Sequence, residues 1–408
     1  MPTITTNATG GGLFNSGSTW AGGVVPSAGD DIVIVAGDTL ILDDDFNCGT
    51  VDMTAGTSFT SPTNKTLDPN ADVVVREGCT LNGLTITSTT VGTGTLQIGP
   101  ASNIQVNILD CTINCAALFT ASANLDLTGS NLASLGLVQG SGKTITGGNI
   151  QYLSDQASSG SQTVAFSGTL IANMPTWNSG DYWTVTFTNC NLTNVILQHV
   201  TANYIDCEIN YVSNDGFASL SSAFSNCLIA NLTLQGSSGV PVAIDVIDCV
   251  MSNVTLNGYD GTGTAKLTAT GDATVFNGVT VNAYGILEVP AALPDAAWAS
   301  VAANTNAYLY GHILVSAISM LGGNVLFGSA GGIIDVFTVK ASTTLASPIF
   351  NGGDWYIYGS AQLSWAAAST VTTTNFHLMS KAASIAADSI NISSGVSGVP
   401  AVAYRGLI

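Results

Sequence analysis

The chain has 408 residues, 46% of them apolar and only 8% charged, with seven basic against 26 acidic side chains and a formal net charge of −19. So few cations cannot line a groove for phosphates or hold an anionic membrane surface, which excludes nucleic acid as a partner and gives no basis for membrane insertion. The scarcity of Glu, Lys and Arg also excludes a mainly helical fold; the polar positions go instead to Thr, Ser, Asn and Gly, which favour strands and turns.

The opening MPTITTNATGGG has neither the basic region nor the apolar stretch of a secretory leader, so assembly in a reducing cytoplasm is expected. Residues 19–43 read TWAGGVVPSAGDDIVIVAGDTLILD, with Trp20, Gly22, Gly23, Pro26, Gly29, Asp30, Asp31, Val33, Gly37 and Thr39 as the marked positions. This segment resembles the N-terminal part of right-handed parallel β-helix proteins, among them bacteriophage structural and tail-fibre proteins. The resemblance spans about 25 residues and concerns architecture. It implies a virion surface protein (tail fibre, spike or capsid decoration), a homotrimer, and other virion proteins or a host-surface glycan as partners. In such a segment Trp20 would lie over the first coil, Gly22 and Gly23 would let backbones approach, and Pro26 would remove an orphaned donor. Asp30, Asp31, Asp43, Asp44 and Asp45 are candidate calcium ligands, since calcium takes six to eight oxygens in a flexible shell. No EF-hand spacing accompanies them, and charges on turns are the simpler reading.

From residue 46 to about 290 an eight-residue pattern recurs: CTLNGLTI at 79–86, CNLTNVIL at 190–197, CLIANLTL at 227–234, CVMSNVTL at 249–256 and TVFNGVTV at 274–281, with weaker copies at 111–118, 130–137 and 207–214. Its fifth position holds Gly83, Asn194, Asn231, Asn253 and Gly278, residue types that tolerate a left-handed backbone. A strand that bends there and resumes would point Cys190 and Leu192 inward before the bend, and Val195 and Leu197 after it. From Asn194 to Gly278 successive fifth positions lie 17, 20, 22 and 25 residues apart, the length of one solenoid coil. The sequence therefore predicts an all-β chain forming a single capped rod, about 17–20 coils and on the order of 80–95 Å long. Residues 1–45 would cap it, 46–290 form the repeats, and 291–408 continue the coil or build an oligomerisation region. Within 291–408, Pro294–Asp295 and the Ala-rich run after them are expected to start a short helix.

The eight cysteines are even in number, but most recur at one place in the repeat. Free, buried thiols are expected. GSGKT at 140–144 lacks the first glycine of a phosphate loop and precedes a strand-like run, so it is read as a turn. Hydrolysis or lysis of a polysaccharide would need two carboxylates on one face; Asp206, Glu208, Asp215, Asp245 and Asp248 are the candidates in the repeat region. Asp206 and Asp248 alternate with Asn189 and Asn226 just before the cysteine, which points to a structural ladder. Trp177, Tyr182, Trp183, Trp355, Tyr356, Tyr358 and Trp365 are candidates for stacking on sugars or for an interface. His199, His312 and His377 are isolated, and no zinc-ligand spacing is present. A phage virion structural protein is the leading expectation, no cofactor beyond calcium is expected, and a polysaccharide lyase or glycoside hydrolase, or a bacterial surface adhesin, are the alternatives.

Overall fold

The computed structural model describes residues 2–87, 94–99, 104–120, 124–138, 141–156, 160–175, 177, 181–197, 200–214, 221–260, 262–290 and 293, and from 301 onward the strands alone. Side chains are placed as far as Tyr310, apart from residues 160, 181, 182 and 301–303. The chain is all-β, its strands paired in parallel as a β-solenoid. Contacts divide it into two units, Met1–Ala202 and Asn203–Ile408.

Within the first unit each later coil is one straight strand, a sharp corner and one bent strand. Strand Val106–Leu109 leads through Asp110 into strand Thr112–Phe119; the next coil repeats this with Asn124–Asp126, Gly129 and Asn131–Leu137. Parallel register stacks the bent strands, Thr112 on Asn131, Asn131 on Asn149, Asn149 on Leu170 and Leu170 on Asn191. Strict alternation along the straight strands sends every second residue inward. Val242, Ile244 and Val246 are buried while Ala243, Asp245 and Ile247 face out. Each aliphatic side chain so buried contributes about 1.5–3 kcal/mol.

The fifth position of the repeat is a bend, as the burial shows. Leu192 and Val195 are both buried, with Thr193 and Asn194 facing out between them, and Ile229 and Leu232 flank Ala230 and Asn231 in the same way. The left-handed backbone lies elsewhere. Asn194 and Asn231 sit inside strands and Gly278 does not have positive φ; only Asn253 (φ 52°) and Gly83 (φ 66°) are left-handed. A slip in alternation turns the strand at Asn194 and Asn231 without changing the sign of φ. The left-handed residue is the one just before the cysteine. In the first unit the stacked corner runs Asn64, Gly83, Asp110, Gly129, Gly147, Gly168 and Asn189, with φ between 51° and 71°. In the second it runs Asp206, Asn226 and Asp248, with φ of 52–54°. Gly83 thus belongs to this corner. Its copy of the pattern is offset, since Thr80 after Cys79 pairs with Ser58 and Asn107 in the straight-strand sheet.

The corner explains the cysteines. The thiols of Cys111, Cys190, Cys207, Cys227 and Cys249 each donate to the carbonyl two residues back, at 3.2–3.4 Å, across the left-handed residue. Thr169 fills the same slot and its hydroxyl donates to Ser167 O at 3.4 Å. All eight cysteines are free and buried. Burial pushes the Cys48 thiol up to about 12, with Asp68 and Asp31 adding to it, and pushes Cys111 up to about 11.

The first coil is closed by Trp20. Its ring is buried, donates from Nε1 to Phe14 O at 2.7 Å and meets the Phe14 ring edge-on at 5.2 Å. Gly22 and Gly23 serve φ, not close approach: their φ values are 78° and 75°, and a Cβ on either would touch nothing within 4 Å. The helix expected at Pro294–Asp295 lies outside the described residues. Strand Val301–Ala303 pairs in parallel with Val279–Val281, and strand Tyr308–Leu314 with Gly285–Val289, so the coil continues past 300 within the second unit. Among the described residues no helix is long and apolar enough to cross a membrane.

Candidate functional site

On the outer surface of the first unit two shallow grooves, of about 250 and 260 Å³, share Asn149 and Leu170 and so form one trough along the corner. Register places Asn131, Asn149, Leu170 and Asn191 in one exposed column, about 4.8 Å per coil. The Asn149 amide donates to Asn131 Oδ1 at 2.7 Å, as amides stacked at this spacing do. A second column, Asn114, Ala133, Gln151 and Ala172, forms the other wall. Glycine at the corner positions Gly129 and Gly168, and at Gly148 just after the corner, leaves no side chain to fill the floor. At Gly148 a Cβ would come within 2.5 Å of Leu127, so packing forbids a side chain; at Gly168 it would meet open space. Among the described residues lining either groove none carries an ionisable side chain. Such a trough offers paired amide donors and acceptors and an apolar step at Leu170, chemistry suited to hydroxyl-rich, uncharged ligands.

The candidate carboxylates are not gathered at any such place. Asp206 and Asp248 occupy the left-handed corner of the second unit. Asp206 accepts from the Asn226 amide at 2.6 Å, and Asp248 accepts from the Ala273 N–H at 3.0 Å. Glu208 is exposed at the head of a bent strand, whereas Asp245 faces out from a straight strand between Ala223 and Thr268. Asp215 lies outside the described residues.

The N-terminal acidic groups are spent on backbone amides. Asp30 accepts from Ser27 N, Asp31 from Thr50 N and Oγ1, Asp43 from Asn15 N, Asp44 from Asp45 N, and Asp45 from Thr66 N, at 2.7–3.2 Å. Among the described residues no three His, Cys, Asp or Glu side chains converge on a point that would hold a metal ion.

Trp177 and Trp183 are core residues, 2% and 1% exposed, with rings 5.2 Å apart, and are unavailable to a sugar. Apolar rings of this size go inside whenever the alternation of the strand points them there. Tyr182, Trp355, Tyr356 and Trp365 lie on described strands whose side chains at these positions are not placed; Tyr358 lies outside the described residues. Two features escaped the sequence reading. Tyr284, Tyr308 and Tyr310 form a half-buried run of rings, each 6.4 Å from the next. Lys143, after the turn of GSGKT, opens strand Lys143–Thr146 and points inward over the Phe119 ring at 4.7 Å. Burial lowers its pKa to about 8. The alternation of Lys143 with inward Ile145 is the signal that would have revealed it.

No family model, no curated protein and no solved structure matches the chain.

Proposed function

We propose that this chain is a structural protein of a bacteriophage virion, a fibre, spike or capsid decoration, whose coil presents the first-unit trough to a neutral saccharide of the host surface. The observation that carries the saccharide contact is the trough itself, stacked amides with no ionisable side chain in the lining. General acid–base chemistry needs titratable groups at the reacting atoms, so this lining favours binding over turnover. The virion reading rests on the resemblance of residues 19–43 to the N-terminal segment of phage β-helix proteins. Buried free thiols suit assembly in a reducing cytoplasm. A net charge of −19 disfavours acidic glycans and favours uncharged ones. Three copies are the expected assembly.

Gold-conjugated antibody against the chain, applied to particles in negative stain, tests the placement; label on a tail or capsid feature is expected, and label on no particle component rejects it. Titration of the purified protein with neutral and acidic oligosaccharides tests the ligand class by chemical-shift changes in Asn side-chain amides. Reducing ends or unsaturated uronates released from a polysaccharide panel would instead establish the enzyme reading.

A further inference from the structure

Three Asn–Gly pairs lie wholly within the described residues, Asn82–Gly83, Asn257–Gly258 and Asn277–Gly278. Asn–Gly is the dipeptide most open to attack of the following backbone nitrogen on the side-chain amide, because glycine puts no Cβ in the way. A folded protein suppresses this attack when that nitrogen is held in a hydrogen bond. Gly83 N–H donates to Leu109 O at 3.0 Å, and Gly258 N–H to Ala283 O at 2.8 Å. The bonds around Asn277 differ. Its own N–H donates to Met251 O at 2.8 Å and Gly278 O accepts from Val254 N at 2.7 Å, yet the Gly278 N–H has no acceptor among the described residues. Asn277 is exposed, and among the described residues its amide is held by Ser252 Oγ alone, at 3.3 Å.

The glycines also differ in why they are there. A Cβ on Gly83 would come within 2.4 Å of Ser61 O, and one on Gly258 within 2.3 Å of the Tyr284 Cβ. Gly278 lacks positive φ, and its nearest neighbour would be Asn253 N at an ordinary 3.6 Å. Among the described residues neither backbone conformation nor packing demands glycine at 278.

We propose that Asn277 is a spontaneous modification site, converting to aspartate and isoaspartate. Base removes the Gly278 amide proton and the nitrogen attacks Asn277 Cγ. The new C–N bond closes a succinimide as the Cγ–Nδ2 bond breaks and ammonia leaves. Water then opens either carbonyl of the ring, giving aspartate or, with one extra backbone methylene, isoaspartate. No oxidant or enzyme is required. The product adds a negative charge to the outer face of the second unit, one coil from Ser252, and the isoaspartate form lengthens the chain at the bend that Gly278 shares with Asn253.

Incubation of the intact protein in mildly alkaline buffer, followed by proteolysis and mass spectrometry, tests this. Conversion at residue 277 at least tenfold faster than at 82 and 257 is expected, rising with pH and split between two chromatographic isomers. Gly278→Ala, which the packing accommodates, should keep the circular dichroism and melting profile and slow conversion at least tenfold. Conversion at 82 or 257 as fast as at 277, a silent Asn277 in the folded protein, or unchanged conversion in folded Gly278→Ala would each overturn the proposal.

Discussion

The same left-handed corner is built differently in the two units. In the first, Gly129, Gly147 and Gly168 occupy three successive coils and the small residues Ser130, Gly148 and Thr169 follow them; the outer surface sinks into a neutral trough. In the second, Asp206, Asn226 and Asp248 occupy the corner and Cys207, Cys227 and Cys249 follow; the outer edge is acidic, and Asn226 ties one carboxylate to its own coil. The backbone demand is identical, a residue near φ 50–70° with a small residue after it. What varies is the side chain that meets the demand, and that choice decides whether the outer edge of the corner is neutral or acidic. The interior differs as well. The first unit buries the Lys143 amine in line with Val164 and Val185, whereas in the second Ile244 and Leu267 face each other across adjacent straight strands.

Variants can break this comparison in order of size. Gly129→Val puts a β-branched residue at φ 71° and its Cβ against the Asp110 carboxylate, and should cost about 3 kcal/mol in denaturant-measured stability. An unchanged midpoint would mean that the corner is soft. Lys143→Met removes a buried amine and should stabilise by on the order of 2 kcal/mol. The Lys143 share of the pH dependence carries the same sign. With a folded pKa lowered to about 8 against 10.5 for the exposed amine, the unfolded chain binds more protons between those values. The Lys143 contribution to stability therefore rises with pH across that window, while the buried thiols of Cys48 and Cys111, held above the ordinary value of 9, act in the opposite direction above about 9. The gain in urea midpoint of Lys143→Met over wild type should be larger at pH 7.5 than at pH 10, a difference in which the thiols cancel.

Smaller effects sharpen the inner slot. Cys190→Ala loses the bond to Thr188 O and should cost about 1 kcal/mol, whereas Cys190→Thr, matching Thr169 one coil earlier, should cost less than about half of that. Equal losses would show that volume alone matters there. Smallest in stability is Gly168→Asn. Asn already holds this corner at Asn189 with φ 51°, and the space beyond Gly168 is open, so stability should move by less than about 0.5 kcal/mol. The new side chain fills the trough, and any neutral-saccharide shift in the Asn149 amide should vanish.

Coil length, inward alternation and the bend at Asn194 and Asn231 were all readable in the sequence, because each depends on a few neighbouring residues. The left-handed position was placed five residues too late. Asn and Gly occur at both bends, and composition does not say which bend needs positive φ. The offset of the Cys79 copy was hidden for a related reason. Only pairing of Thr80 with Ser58 and Asn107 shows which sheet that segment joins. The trough was missed altogether, since it is made by residues 18–21 apart that carry no chemical signature singly.

Local chemistry thus determined that this chain winds as parallel coils with turns at Asn, Asp and Gly and thiols kept inside. Alternation and φ preference are properties of adjacent residues and survive without knowledge of the neighbours. Tertiary structure alone decided which residues stand above one another. Corner-to-corner steps of 19, 27, 19, 18, 21 and 21 residues from Asn64 to Asn189 vary with the loops, and only the closed hydrogen-bond ladder fixes the register. That register is what buries Trp177, Trp183 and Lys143, pairs Asn149 with Asn131, and leaves the Gly278 nitrogen without an acceptor among the described residues.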